Sequence, residues 1–360
     1  MNRYTQDSLD LLRQMVRTPS PSFGEEDVCK LIAGTLKRWN IDCSLFGRNI
    51  VAFNKHYDPS LPTLVFDAHI DTVPAAASYT RDPLDPGMDT DVIFGLGAND
   101  DGGSVVAMAA AFRYFYKERM PINLVLALSC EEERSGPDGA RFLYSAEGPL
   151  APGKARWVII GEPTGMKAAT SERGLLVLDC EAHGVSGHAA RGEGVNALYI
   201  AMEDINVLRA HKFTKVSPKT GEVRLTVTQI AAGTAHNVVP DKCTFVVDIR
   251  PNELYTNEEI VEELQAECRS TLRARNLTNR SSATFDGSPL ERTAVSMGME
   301  TISSPTTSNW MRTGRDAIKM GPGESSRSHK ANEYILCSEI VDAVEKYIKF
   351  VENFYGNSME

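Results

Sequence analysis

What most constrains this chain is a set of short aliphatic runs that finish on ionisable residues. "TLVFDAH" ends on His69, with Asp71 two residues further on; "INLVLALSC" leads into Glu131, Glu132 and Glu133; "RWVII" leads into Glu162 in "GEPT". Runs this rich in aliphatics read as strands buried on both faces, the kind found in parallel sheets covered by helices. Helical segments alternate with them, among them "SVVAMAAAFRYFY" and "GARFLYSA". Two amphipathic helices come first, in "SLDLLRQMV" and "DVCKLIAGTLKRW", parted by the break "TPSPS". Ser22 and Glu25 have the spacing of a capping box ahead of the second. The alternation predicts an α/β layer fold with a mixed, mostly parallel sheet.

Near residue 172 the pattern changes. "GLLVLDCEAHG", "VNALYIAMEDINVLRAH", "EVRLTVTQIAAG", "KCTFVVDIRP", "NEEIVEELQAECRSTLRA" and "SSATFDG" give the order βαββαβ, with strands alternating in polarity as in a sheet with one solvated face. The closing helix "LCSEIVDAVEKYIKFVENFY" returns to the α/β pattern of the N-terminal half. The expected architecture is one α/β domain formed by residues 1–171 and 289–360, with a smaller α+β domain inserted at 172–288. A length of 360 residues accommodates both.

Composition narrows the chemistry. A net charge of -10 with no basic stretch argues against nucleic acid and anionic membranes as partners. The start has no apolar core like that of a signal peptide, and no window approaches a membrane span. Seven cysteines are scattered singly with no CxxC, which reads as reduced thiols in a cytoplasm and offers no thiolate zinc site. Any metal must be held by His, Asp and Glu.

Two further clusters complete the set: Asp100 and Asp101 after "VIFGLGAN", and His329 in "GPGESSRSHKANEY". Carboxyl ends of strands in an open α/β sheet gather along one edge, where sites are built. So many acids on one edge repel unless cations stand between them. Imidazole with carboxylate suits zinc. Two ions sharing one carboxylate hold a nucleophilic water between them, and an unligated Glu takes its proton and hands it to the leaving amine. Each motif alone is weak, since HxD is common in solvated loops; the joint pattern carries the argument. "GLGANDDGG" does not read as a phosphate loop, because adjacent aspartates repel phosphate and no lysine follows the glycines.

These residues carry a resemblance. "PSPSFGEE", "AHIDTVP", "GLGANDDGG", "CEEERSGPDGA", "GEPT", "GHAARGEGVNA", "HNVVPDKCTFVVDIRP" and "GPGESSRSHKANEY" follow the order and spacing of the di-zinc amidohydrolase/exopeptidase family that contains acetylornithine deacetylase, succinyl-diaminopimelate desuccinylase, aminoacylase and carboxypeptidase G. The resemblance implies a catalytic domain holding two divalent metal ions, zinc or cobalt, and a lid domain that mediates homodimers. It implies His69 and Glu162 as ligands of one ion, Asp100 as the bridge, and Glu133 with His329 on the other. Asp71 would orient His69. The family's glutamate pair has two registers here. In one, Glu131 precedes the pair, Glu132 is the general base and Glu133 the ligand; in the other, Glu131 is the base and Glu132 the ligand. Asp101 and Gly102 stand where many members have Met and Lys.

In the inserted domain the resemblance implies that His188 polarises the scissile carbonyl across a subunit boundary. It places Asn237 and Arg250 near the substrate carboxylate, with Arg250 equally readable as a structural ion-pair partner. Arg327 could pair with an anionic acyl tail or simply be solvated. The implied function is hydrolysis of a small-molecule N-acyl amino acid amide, closest to N-acetylornithine (or N-succinyl-ornithine or -citrulline) in arginine biosynthesis. Succinyl-diaminopimelate desuccinylation and di- or tripeptide hydrolysis are alternatives, and a non-catalytic metal-binding relative is the alternative of another class.

Overall fold

The computed structural model describes residues 3–357 and divides them into two compact units. One comprises the residues up to Thr170, Thr284–Ile302 and the residues from Ser308; the other comprises Ser171–Ala283 and Ser303–Thr307. In chain order the principal elements are α1 (Arg3–Val16), α2 (Glu26–Arg38), β1 (Ser44–Phe46), β2 (Asn49–Phe53), β3 (Thr63–His69), α3 (Gly103–Phe115), β4 (Asn123–Ser129), β5 (Trp157–Ile160) and β6 (Ala168–Glu172). They continue with β7 (Leu176–His183), α4 (Ala197–Ala210), β8 (Arg224–Ala232), β9 (Lys242–Arg250), α5 (Asn257–Glu267), β10 (Thr271–Ala274), α6 (Pro289–Ser296), β11 (Asp316–Lys319) and α7 (Cys337–Asn357).

The large sheet of the first unit has the order β1-β2-β4-β3-β5-β11-β6. Its centre is parallel: β3 pairs with β4 on one side and β5 on the other, and β5 pairs with β11. Antiparallel pairing at both margins makes the sheet mixed. β3 and β4 are buried at every position, as expected of strands covered on both faces. One cover is α3, almost wholly buried and packed on α1 and α7. In α7 the buried residues Ile340, Ala343, Val344, Tyr347, Phe350, Val351 and Phe354 recur at helical spacing, so one stripe meets the core and the rest stays polar.

The second unit is a four-stranded antiparallel sheet, β8-β9-β7-β10, with α4 and α5 packed on it. In β7 and β9 alternate residues are buried: Leu176, Leu178, Cys180 and Ala182 in one, Cys243, Phe245, Val247 and Ile249 in the other. Among the described residues no helix is long and apolar enough to cross a membrane. All seven cysteines are free thiols.

Two local expectations fail. The last strand of the βαββαβ order is Thr271–Ala274, inside the segment read as helix, because α5 stops at Glu267; Ser282–Ala283 of "SSATFDG" pairs instead with β6. Ser22 and Glu25 do not form a capping box, and Glu25 at the N-cap of α2 makes no side-chain cap bond. The Ser22 hydroxyl donates to Asp71 Oδ2 at 2.6 Å instead. The buried Glu25 carboxylate accepts from the backbone N–H of Phe23 and of Glu131, both at 3.0 Å. The sequence spacing is that of a helix cap, but distant partners claim both side chains.

Candidate metal centre

The parallel strands deliver their carboxyl ends to one edge. β3 ends on His69, β4 runs through Cys130 into Glu131–Glu133, β5 runs through Gly161 into Glu162, and β11 leads through Met320 to the loop carrying His329. Gly161 has no room for a side chain: a Cβ there would stand 2.7 Å from Ser104 Cβ, so glycine lets the first turn of α3 close onto β5. Asp100 lies in the turn Ala98–Gly102 ahead of α3, and the Asp100–Asp101 peptide is cis. The Glu333 carboxylate accepts from the backbone N–H of Asn99 (2.8 Å) and of Asp100 (2.9 Å). Asn99 in turn bonds both backbone groups of Glu324, tying this turn to the loop of His329.

Ligand-type atoms of His69, Asp100 and Glu133 lie within 4.8 Å of one another, and so do those of His69, Glu132 and Glu162. His69 Nε2 is 3.2 Å from Asp100 Oδ1, while Nδ1 is 2.9 Å from the Asp71 carbonyl and 3.4 Å from its carboxylate. The imidazole is therefore anchored at Nδ1 and presents Nε2 to the site. His329 Nε2 stands 3.0 Å from Glu133 Oε1 and 3.8 Å from Asp100 Oδ2.

Asp71 does more than orient the imidazole. Its two carboxylate oxygens also accept from the backbone N–H of Glu132 (2.9 Å) and of Glu133 (3.1 Å). One buried carboxylate thus fixes both the β3 and the β4 contributions. Burial works to raise its pKa, but the bonds from His69, Ser22 and Glu132 outweigh it and hold Asp71 below the usual range.

The run of three glutamates splits. Glu131, at φ 60°, turns away from the other site acids: its carboxylate pairs with the Arg48 guanidinium and accepts from Asp138 N–H at 3.1 Å. Arg48 also pairs with Glu25 at 2.8 Å, so one arginine serves two buried carboxylates. Glu132 and Glu133 face the site, and Glu132 Oε1 is 3.3 Å from Arg312 Nη1. Glu162 lies 3.8 Å from the ammonium of the buried Lys319.

The electrostatics register a shortage of positive charge. Burial raises Glu162 well above its ordinary value despite Lys319, and also raises Glu133. Burial pushes Asp101 up to about 8. His329 is raised to about 9 by its bond to Glu133. Protons take up charge that divalent ions would otherwise neutralise, and the donors are the imidazole and carboxylates that zinc accepts. The residues therefore fit a pair of divalent ions, with His69, Asp100, Glu133, Glu162 and His329 within reach.

The remaining expected residues are placed as follows. Arg327 makes a two-pronged pair with Glu339 (2.7 and 3.1 Å) and lies over the Tyr334 ring, so its guanidinium is engaged outside the acidic cluster. In the second unit Arg250 is paired with Asp248 on its own strand. His188 and Asn237 are exposed neighbours: His188 pairs with Val238 in a two-residue ladder, and Ala189 N–H donates to the Asn237 carbonyl. Ser22 is marked in the sequence only as a helix cap, and Arg48, Lys319, Arg312 and Glu333 are site residues that the sequence does not reveal. Each of the latter is a single polar residue far along the chain from its partner, with no spacing to mark it.

Residues 49–168 match the peptidase family M28, and residues 170–276 match the peptidase dimerisation domain that accompanies M20 peptidases. A succinyl-diaminopimelate desuccinylase of Stenotrophomonas maltophilia is 29% identical over 273 residues, which is 72% of each chain. An acetylornithine deacetylase of Myxococcus xanthus is 27% identical over 331 residues, covering 86% of this chain and 84% of that one. A dinuclear metal binding peptidase of the M20 family from Bacillus subtilis shares the fold with a TM-score of 0.70 at 14% identity, over 98% of this chain and 97% of that one.

Proposed function

We propose, on the premise that this chain belongs to the M20 peptidase family and is a metal-dependent hydrolase, that it cleaves the amide of an N-acyl amino acid. The observation that carries the reading is the pair of groups that share His69, one with Glu132 and Glu162 and the other with Asp100 and Glu133, the ligand-type atoms of each lying within 4.8 Å of one another. His69, Asp100, Glu133, Glu162 and His329 would hold two ions, zinc foremost; the Bacillus subtilis relative is itself a dinuclear metal binding peptidase. Those ions supply Lewis acidity at the amide carbonyl when bound.

The chain's own residues do the rest. Asp71 keeps His69 Nε2 forward and holds the Glu132–Glu133 backbone in place. Glu132 accepts a proton from the attacking water and returns it to the leaving nitrogen, so that water and amide become a carboxylic acid and a free amine. Glu131, engaged by Arg48, takes no part in this exchange, which favours the register with Glu132 as base. His188 and Asn237 are proposed substrate contacts; Arg250 and Arg327 would join them only by exchanging their partners Asp248 and Glu339 for the substrate. The inserted domain is the proposed surface of a homodimer.

N-acetylornithine or its N-succinyl counterpart is the foremost substrate, supported by the Myxococcus relative and by an acidic protein that does not oppose a cationic amino acid. N-succinyl-diaminopimelate is the second reading, supported by the desuccinylase relative. The test is release of free amine from a panel of N-acetyl and N-succinyl ornithine and citrulline, N-succinyl-diaminopimelate and small peptides, with and without chelator. Glu132→Gln should lower kcat by at least about 10²-fold with metal content unchanged. Full activity of that variant would overturn the reading.

A further inference from the structure

We propose that Arg312 is a positioning residue that holds Glu132 off the metal ions and so keeps it free to carry a proton; the inference rests on Glu132 being the general base. On distance alone Glu132 has the same claim to a metal as Glu133, since each belongs to a group of atoms within 4.8 Å that includes His69. What separates them is the cation at the carboxylate. Glu133 Oε1 faces the imidazole of His329 at 3.0 Å, a partner that can lose its proton and itself become a ligand. Glu132 Oε1 faces the Arg312 guanidinium at 3.3 Å, which never deprotonates and never ligates.

Arg312 is held in place. Nη1 donates to Asn309 Oδ1 at 2.7 Å and Nη2 to Ser135 Oγ at 2.7 Å. The Asn309 amide is fixed in turn by Ser129 Oγ (2.8 Å) and by the buried Asp67 carboxylate (3.3 Å). The Arg312 side chain is 7% exposed. A guanidinium so committed to protein acceptors has little surface left for a substrate carboxylate, which argues for positioning over recognition. An oxygen that accepts from a fixed cation is also a poorer donor to a metal, because its charge is already shared.

The test compares Arg312→Gln, Glu132→Gln and the double variant by two readouts: steady-state kinetics, and metal affinity from competition with a chelating dye. Arg312→Gln should lower kcat about 10²-fold with little change in KM, and should bind metal more tightly, about tenfold, as Glu132 joins the ligands. In the double variant that gain should vanish, because the released ligand is gone. Ser135→Ala, which removes one anchor, should shift both quantities the same way by less, and covers the case in which Arg312→Gln folds poorly. Weaker metal binding in Arg312→Gln and Ser135→Ala, or an unchanged kcat, overturns the proposal. An inactive Glu132→Gln beside a fully active Arg312→Gln sinks this inference alone; an active Glu132→Gln sinks the assignment of Glu132 itself.

Discussion

Arg48→Met isolates the cost of the buried carboxylates that support the acidic loop. Arg48 bridges Glu25 and Glu131, whose side chains are 0% and 1% exposed, whereas the arginine side chain is 22% exposed. Removing the cation leaves both acids buried without it, and breaking a buried pair in this way costs about 3–5 kcal/mol. The partial exposure of Arg48 favours the lower end. For a unit this size a kilocalorie is worth roughly 2 °C, so the melting temperature at pH 8 should fall by about 6–10 °C. The pH dependence adds a second signature. Burial raises Glu25 above its ordinary 4.5 in the folded protein, so the folded state holds that proton more tightly and stability is lost as pH rises through the shifted value. Without Arg48 the shift grows, and the deficit of Arg48→Met should shrink as pH is lowered toward 5. Calorimetry of both proteins between pH 5 and 8 measures this. A loss below about 1 kcal/mol at pH 8, or a deficit independent of pH, refutes the reasoning.

Other outcomes follow from the same contacts. Asp71→Asn leaves the backbone carbonyl that meets His69 but removes the charge and one of the two carboxylate oxygens that serve His69, Glu132, Glu133 and Ser22, and should weaken metal binding by about 10–100-fold in dye competition. A change under twofold would show that Asp71 does not position the ligands. Chelator-treated protein should melt lower at pH 8.5 than at pH 6. Burial lifts Glu333 to about 7 and Asp101 to about 8, so the folded state binds protons that the unfolded chain releases near pH 4, and stability drains away as pH climbs through those values. A melting temperature that stays level or rises over that interval contradicts this, and metal-loaded protein should show a flatter profile.

How much of the molecule is legible from residues alone depends on the range of each interaction. β3, β4 and β5 can be read because burial on both faces writes itself as a continuous aliphatic run, and β7 and β9 because one-sided burial writes itself as alternation. His69, Asp100, Glu133, Glu162 and His329 can be collected because they follow such runs or lie in marked loops, and the fold brings them together. The direction of Glu131 cannot be read, since it depends on Arg48 in the β1–β2 turn, more than eighty residues away. Ser22 and Glu25 mislead for the same reason: a local motif is present, but remote acceptors and donors win both side chains. Arg312 and Lys319 leave no mark, because a lone cation means nothing until its acid is known.

The placement of β3 between two parallel neighbours also bears on the order in which the site comes apart. The amides of Leu64–Asp67 lie in a strand paired on both sides and buried throughout, so they should exchange with deuterium only through the rarest openings of the unit. Of the proposed ligands only His69 lies on that strand; Glu133, Glu162 and His329 lie on loops outside the ladder. If two ions are held as proposed, dilution into a chelator should therefore strip the one assigned to Glu133 and His329 first and the one assigned to His69 later. A half-loaded protein would then be a discrete intermediate, preparable by timing alone.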